Sequence, residues 1–92
     1  PLGLTITRSH SGRIRIVRIL YGSVAEQSEL FHFNDQIFEI NGQSVIDRSL
    51  NEIVQFFSTY RGAMKFRLFS PSSRQSFRRS TIFYVRSLFD YD

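Results

Sequence analysis

A chain of 92 residues and 10.8 kDa has room for one small domain and not for two complete ones. Ten Phe and four Tyr in a 41% hydrophobic composition set it apart from disordered chains, and the lack of cysteine excludes disulfides, thiolate metal sites and thiol nucleophiles. The net charge of +4, half of it in residues 71–92, is too small to define a nucleic-acid binder, and no apolar run approaches the ~20 residues that span a bilayer. With no signal-peptide pattern either, the starting expectation is a soluble intracellular module.

The chain opens on Pro1-Leu2-Gly3-Leu4 without an initiator Met, as a fragment or processed product would. Leu4-Thr5-Ile6-Thr7-Arg8 alternates apolar and polar residues and predicts a half-buried strand, closed by the turn cluster Ser9-His10-Ser11-Gly12. Arg13 to Ile16 alternates again, and Val17-Arg18-Ile19 continues in the opposite phase. One strand with a bulge near Ile16-Val17 accounts for the slip. Ser23-Val24-Ala25-Glu26 and Ser49-Leu50-Asn51-Glu52 are both capping boxes and mark two helix starts. The first helix is short, because Phe31 to Asp35 reads as a loop. The second has room from about Leu50 to Tyr60, with Gly62 placed to end it. Between them Ile37–Ile40 predicts a strand that turns back at Asn41-Gly42 into Gln43-Ser44-Val45. Met64-Lys65-Phe66-Arg67-Leu68 predicts a further strand, Ser70 to Ser76 has linker composition, and Thr81 to Arg86 is strand-like again. No internal repeat is present.

The long helix is apolar on two adjacent faces. Leu50, Val54 and Phe57 share one, at i, i+4 and i+7, while Ile53, Phe56 and Tyr60 repeat the spacing beside it. A wide core stripe is one explanation; one face packing inward while the other lines a ligand groove is the second. The opening Leu2-Gly3-Leu4 admits a backbone turn whose amides point the same way, a nest for an anion such as a terminal carboxylate, and it equally admits a plain turn.

Three segments, in order, resemble PDZ domains over about residues 1–69. Pro1-Leu2-Gly3-Leu4-Thr5-Ile6 is similar to their carboxylate-binding loop and following strand. Gly22-Ser23-Val24-Ala25-Glu26-Gln27-Ser28 is similar to their first helix. Asn34-Asp35-Gln36-Ile37-Phe38-Glu39-Ile40-Asn41-Gly42 is similar to the segment usually written Gly-Asp-x-Ile-x-x-Val-Asn-Gly. Tyr84 to Asp92, with Leu88-Phe89-Asp90-Tyr91, resembles the opening of a Src-homology-3 domain. That pairing resembles membrane-associated guanylate kinase scaffolds of the membrane-palmitoylated branch. Three departures stand out: the strand before the carboxylate loop, with its basic residue, is missing, Glu29 stands where a glycine usually follows the first helix, and Asn34 replaces the glycine before Asp35.

The resemblance implies a mostly β fold, a PDZ-like partly open barrel of about five strands with two helices, its first edge strand missing. It divides the chain into a PDZ domain at 1–69, a linker at 70–81 and the start of an incomplete Src-homology-3 domain at 82–92. It implies a scaffold module that binds the C-terminal tails of membrane proteins by strand addition. The amides of Leu2, Gly3 and Leu4 would take the carboxylate, and Thr5, Ile6, Thr7, Arg8, Leu50, Val54 and Phe57 would line the groove. Leu50 occupies the position that is usually His in domains selecting Ser or Thr two residues before the end, so an apolar or aromatic residue is expected there, the class II type. Neighbouring Src-homology-3 and guanylate-kinase-like domains, and a cytoplasmic, peripheral position at the plasma membrane or a cell junction, complete the expectation.

Other readings are weaker. His10 in a turn and His32 in a loop belong to no catalytic or metal-ligand spacing, so no enzyme activity, metal or cofactor is expected. Phe77-Arg78-Arg79-Ser80-Thr81-Ile82-Phe83-Tyr84 interleaves basic and aromatic residues. The alternative function for this tail is binding to anionic lipid or nucleic acid, with weak membrane contact through Arg74, Arg78 and Arg79 favoured and nucleic acid not expected as a partner.

Overall fold

Six strands and two helices make up the computed structural model, which describes residues 2–59, 62–71 and 76–84. In chain order they are β1 (Leu4–Arg8), β2 (Ile14–Ile19), α1 (Val24–Ser28), β3 (Gln36–Ile40), β4 (Gln43–Ser44), α2 (Leu50–Thr59), β5 (Gly62–Ser70) and β6 (Ser76–Tyr84). The pairings are antiparallel and order the sheet β1-β2-β3-β5-β6, with β4 beside β3. The fold is thus mostly β and open, with β1 at one edge and two helices, as expected.

Two bulges decide which side chains face inward. Thr5 pairs with Arg18 and Ile6 with Ile16, so Val17 is an extra residue in β2, where the alternation changes phase. In β3, Ile37 pairs with Leu68 and Glu39 with Arg67, which leaves Phe38 as the extra residue. Without it Ile37 and Ile40, three residues apart, could not share a face; both are buried. Ile14 and Ile16, Ile37 and Ile40, and Met64, Phe66 and Leu68 form the inner face, on which α2 lays Ile53 and Phe57. Phe66 is the centre, with its ring 5.0 Å from Phe31 in an edge-to-face pair and 6.1 Å from Phe57.

Both predicted caps form. The Ser49 hydroxyl accepts from Glu52 N at 3.1 Å while Glu52 Oε1 accepts from Ser49 N at 2.8 Å. At α1, Ser23 Oγ accepts from Glu26 N at 3.1 Å, but the Glu26 carboxylate reaches one residue further back, to Gly22 N. The two replaced glycines both keep the left-handed backbone. Asn34 has φ 73° and its amide donates to Ile16 O, and Glu29 has φ 60° with its amide on Glu26 O at 3.2 Å. Asp35 is buried, and its carboxylate accepts from His32 N and from the Ser70 hydroxyl, each at 2.8 Å, fixing this loop to the end of β5.

The five strands of the sheet path match the expected number, with the two-residue β4 beside β3. One expectation needs correction: the linker expected over 70–81 is strand from Ser76 onward. β6 pairs along the whole of β5, from Ser70↔Ser76 to Gly62↔Tyr84. Serine and arginine content concealed it, because an edge ladder is built from backbone groups and needs little apolar sequence. Of the Src-homology-3 start expected at 82–92, residues 82–84 belong to β6 and 85–92 lie outside the described residues.

Glu29 carries its left-handed φ with an exposed side chain that no packing compensates. A left-handed residue with a Cβ costs roughly 1–2 kcal/mol, from which glycine's extra freedom in the unfolded chain subtracts about 0.4–1. Glu29→Gly is therefore expected to raise stability by about 0.5–1 kcal/mol, and the midpoint of thermal unfolding by a few degrees; an unchanged or lower midpoint would contradict the strain assigned to this turn.

Candidate functional site

The site starts from a backbone turn at Gly3. Its φ of 94° lies where only glycine is at ease, and a Cβ there would overlap Cβ and Oγ of Ser23. The loop is pinned by its carbonyls: Ala25 N donates to Leu2 O at 2.9 Å and Leu20 N to Gly3 O at 2.8 Å. Leu2 is buried beneath. With both carbonyls turned toward the α1 side, the amides of Leu2 and Gly3 find no acceptor among the described residues.

From this loop β1 runs as the edge strand of the sheet, paired to β2 on one side only, and α2 packs against it. Between strand and helix lies a cavity of about 210 Å³ lined by Leu2, Gly3, Leu4, Thr5, Arg18, Leu20, Val54, Phe57 and Ser58. Its floor is apolar. Val54 stands 46% exposed above it, whereas Phe57 is only 5% exposed and belongs to the core as well.

Six of the expected site residues, Leu2, Gly3, Leu4, Thr5, Val54 and Phe57, thus meet around one cavity. Ile6 and Leu50 lie outside its lining, both half-buried against the core, Ile6 further along β1 and Leu50 at the start of α2. Thr7 is half-buried in β1. Arg8 does something not foreseen. Its guanidinium donates to the carbonyls of Gly12 at 2.8 Å, Ile46 at 3.3 Å and Arg48, so it ties the end of β1 to the loop that leads into α2.

The two faces read from the helix are divided differently in the structure. The buried stripe is Ile53 and Phe57, one residue from each expected face, because i and i+4 lie 40° apart on a helix. Leu50 and Val54 flank it on the side of β1, and Phe56 flanks it on the other, where it lines a separate cavity of about 620 Å³ with Ile40, Val45 and Ile53. Tyr60 lies outside the described residues. Sequence reading missed Arg18, Leu20 and Ser58. Arg18 is the informative omission: the bulge at Val17 changes the phase of β2 and sets Arg18 opposite Thr5, so a cation borders the cavity.

An unpaired strand edge beside a helix, leading from a glycine-turned loop with free amides, defines a β module built to accept an extended ligand. The chain belongs to the PDZ domain family, which residues 1–68 match. Over its whole length it is 34% identical to MAGUK p55 subfamily member 7 of Danio rerio and 35% identical to MAGUK p55 subfamily member 3 of Rattus norvegicus, spanning 16% of each. It is also 35% identical to protein lin-2 of Caenorhabditis elegans, of which it spans 9%. Among solved structures, the peptide-bound PDZ domain of the carboxy-terminal protease from Vibrio cholerae shares the fold, with a TM-score of 0.74 at 18% identity over 89% of each chain. A PDZ domain protein from Parabacteroides distasonis aligns at a TM-score of 0.70 and 28% identity, over 90% of this chain and 19% of the other.

Gly3→Ala is expected to cost at least about 1–2 kcal/mol from φ alone, and more from the overlap with Ser23. Ser23→Gly removes the overlapped atoms, and glycine is a tolerated helix cap, costing only a few tenths of a kcal/mol. In a thermal or urea double-mutant cycle the pair should therefore be markedly less destabilised than the sum of the single changes; strict additivity would show that the loop does not press on Ser23.

Proposed function

We propose that the furrow between β1 and α2 receives the extreme C-terminus of a partner protein as an added antiparallel strand. As a PDZ domain the chain is a peptide-binding scaffold module. The observation that supports the finer reading is the pinned Gly3 loop, whose Leu2 and Gly3 amides find no acceptor among the described residues and which lines an apolar cavity at the start of an edge strand. In this reading the amides of Leu2, Gly3 and Leu4 donate to the terminal carboxylate, Arg18 adds a cation nearby, and the last side chain enters the cavity between Leu2, Leu4, Val54 and Phe57. Backbone groups of Thr5, Ile6 and Thr7 form the added ladder, and the Arg8 tie marks the end from which the peptide arrives. A cavity walled by leucine, valine and phenylalanine suits Val, Ile, Leu or Phe as the final residue.

Burial of such a side chain contributes about 1.5–3 kcal/mol, and each charge-assisted bond to the carboxylate a further ~1.5–3. Ordering a flexible tail offsets much of this, so micromolar binding, near −8 kcal/mol, is the scale to expect. Leu50 supports the class II preference: it stands half-buried at the first turn of α2 beside Val54 and offers no hydrogen-bond acceptor to a Ser or Thr hydroxyl.

The partners in this proposal are the cytoplasmic tails of membrane proteins ending in an apolar residue. That puts the module at the cytoplasmic side of the plasma membrane or a cell junction, held there as part of a longer scaffold with Src-homology-3 and guanylate-kinase-like neighbours. Among the described residues no helix is long and apolar enough to cross a membrane.

Calorimetry or fluorescence anisotropy with C-terminal peptides tests the proposal. Peptides with a free acid and an apolar last residue should bind, and amidated versions should lose at least about tenfold, the loss of a single charge-assisted bond. Arg18→Gln should weaken the acid and leave the amide unchanged. Leu50→His should shift preference from an apolar to a Ser or Thr residue two before the end. Equal binding of acid and amide removes the carboxylate role, and a wild-type preference for Ser or Thr removes the role given to Leu50.

A further inference from the structure

We propose that the outer face of the sheet formed by β2, β3, β5 and β6, on the side away from the core, docks on an anionic phospholipid surface. Alternation fixes what this face carries. Ile14 and Ile16 point inward, so Arg13 and Arg15 point out; Met64, Phe66 and Leu68 point inward, so Lys65 and Arg67 point out. The bulge at Phe38 turns that ring outward too, where it meets Phe77 at 5.2 Å and Phe69 at 6.3 Å, with Phe69 and Phe77 4.8 Å apart. Three phenylalanines thus form a contiguous cluster on a solvent face, and Phe77 is 50% exposed.

Cations frame the cluster. The Arg13 guanidinium lies 5.9 Å from the Phe38 ring centre and the Arg67 guanidinium 4.3 Å from that of Phe77. Arg13 and Arg15 bond to the neutral side chains of Gln36 and Asn34, so their charge is not cancelled. Glu39 is the acidic residue of this face among the described residues, 3.9 Å from Arg67, against four bases. Other acids sit elsewhere, Glu26 and Glu29 at α1, Asp47 and Glu52 at the entry to α2.

Charge complementarity selects a polyanion, and the rings select among polyanions. A single-stranded nucleic acid stacks its bases on open aromatic faces. Here the rings meet one another edge-on or tilted, at 71°, 73° and 53°, and guanidinium groups already lie over Phe38 and Phe77. An exposed apolar cluster surrounded by cations matches headgroup charge above acyl chain. The face belongs to β2, β3, β5 and β6, whereas the furrow lies between β1 and α2 at the edge of the sheet, so one chain can occupy both at once.

Co-sedimentation of the 92-residue chain with vesicles tests this. Phosphatidylcholine containing roughly one-quarter phosphatidylserine should retain the chain, phosphatidylcholine alone should not, and added salt should release it. Arg13→Gln, Lys65→Gln and Arg67→Gln should each weaken binding about fivefold, the effect of one base near an anionic surface, while Arg67→Lys should largely keep it. Phe77→Ser should weaken binding without changing its salt dependence. Circular dichroism melts confirm that each variant is folded. Equal retention on neutral vesicles, indifference to the three Gln changes in folded protein, or tighter binding of oligo-dT through the same residues would overturn the proposal.

Discussion

The geometry of the furrow depends on one close approach, the backbone of Gly3 lying against the Ser23 side chain at the N-terminus of α1. Because glycine has no Cβ, the chain can lie against Ser23, reverse at φ 94° and enter β1 with the Leu2 and Gly3 carbonyls accepting from Ala25 and Leu20. Those two bonds decide everything downstream in the site. They hold Leu2 buried and set where the edge strand begins relative to Val54 and Phe57. Ser23 serves two ends at once, as wall for the glycine and as cap for α1. A helix of five residues has little stability of its own, so its position is held by this contact and by buried Ala25.

Much of this was legible in the sequence wherever a local rule has one physical solution. Capping boxes at Ser23 and Ser49, the reversal at Asn41-Gly42 with positive φ at both residues, and the phase slip at Val17 are of that kind. The resemblance to PDZ domains added the order of the elements and brought together Leu2, Gly3, Leu4, Thr5, Val54 and Phe57. What stayed hidden depends on partners distant in sequence. Arg8 reads as a strand residue and becomes a tie to the loop before α2, through carbonyls no sequence pattern marks. The pairing of β6 with β5 is equally silent, because backbone groups make it. Phe38 looks like one position of a regular strand, yet Ile37 and Ile40 can both be buried only if it is extra.

The two bulges have consequences on opposite sides of the molecule. Val17 lets β2 change phase, so that basic residues before it, Arg13 and Arg15, belong to the outer face, while Arg18 after it borders the furrow. Phe38 moves an aromatic ring from the interior to the outer face without emptying the core, since Ile37 and Ile40 keep it filled. A single inserted residue in each strand therefore redistributes charge or apolar surface at no cost in buried contacts.

An unpaired strand edge is a hazard as well as a resource, since any extended chain can join it. Here β1 is five residues long, and its accessible stretch is bounded at both ends. The Gly3 loop, tied to Leu20 and Ala25 over the buried Leu2, closes the start, and in the proposed reading a bound chain terminates there. The Arg8 tie closes the far end by joining β1 to the 46–48 loop. Between these limits α2 packs against β1, and Val54 and Phe57 line the cavity between them. In the proposed reading, selection for a chain terminus follows from the same enclosure that guards the edge: a bound strand would end at the Gly3 loop.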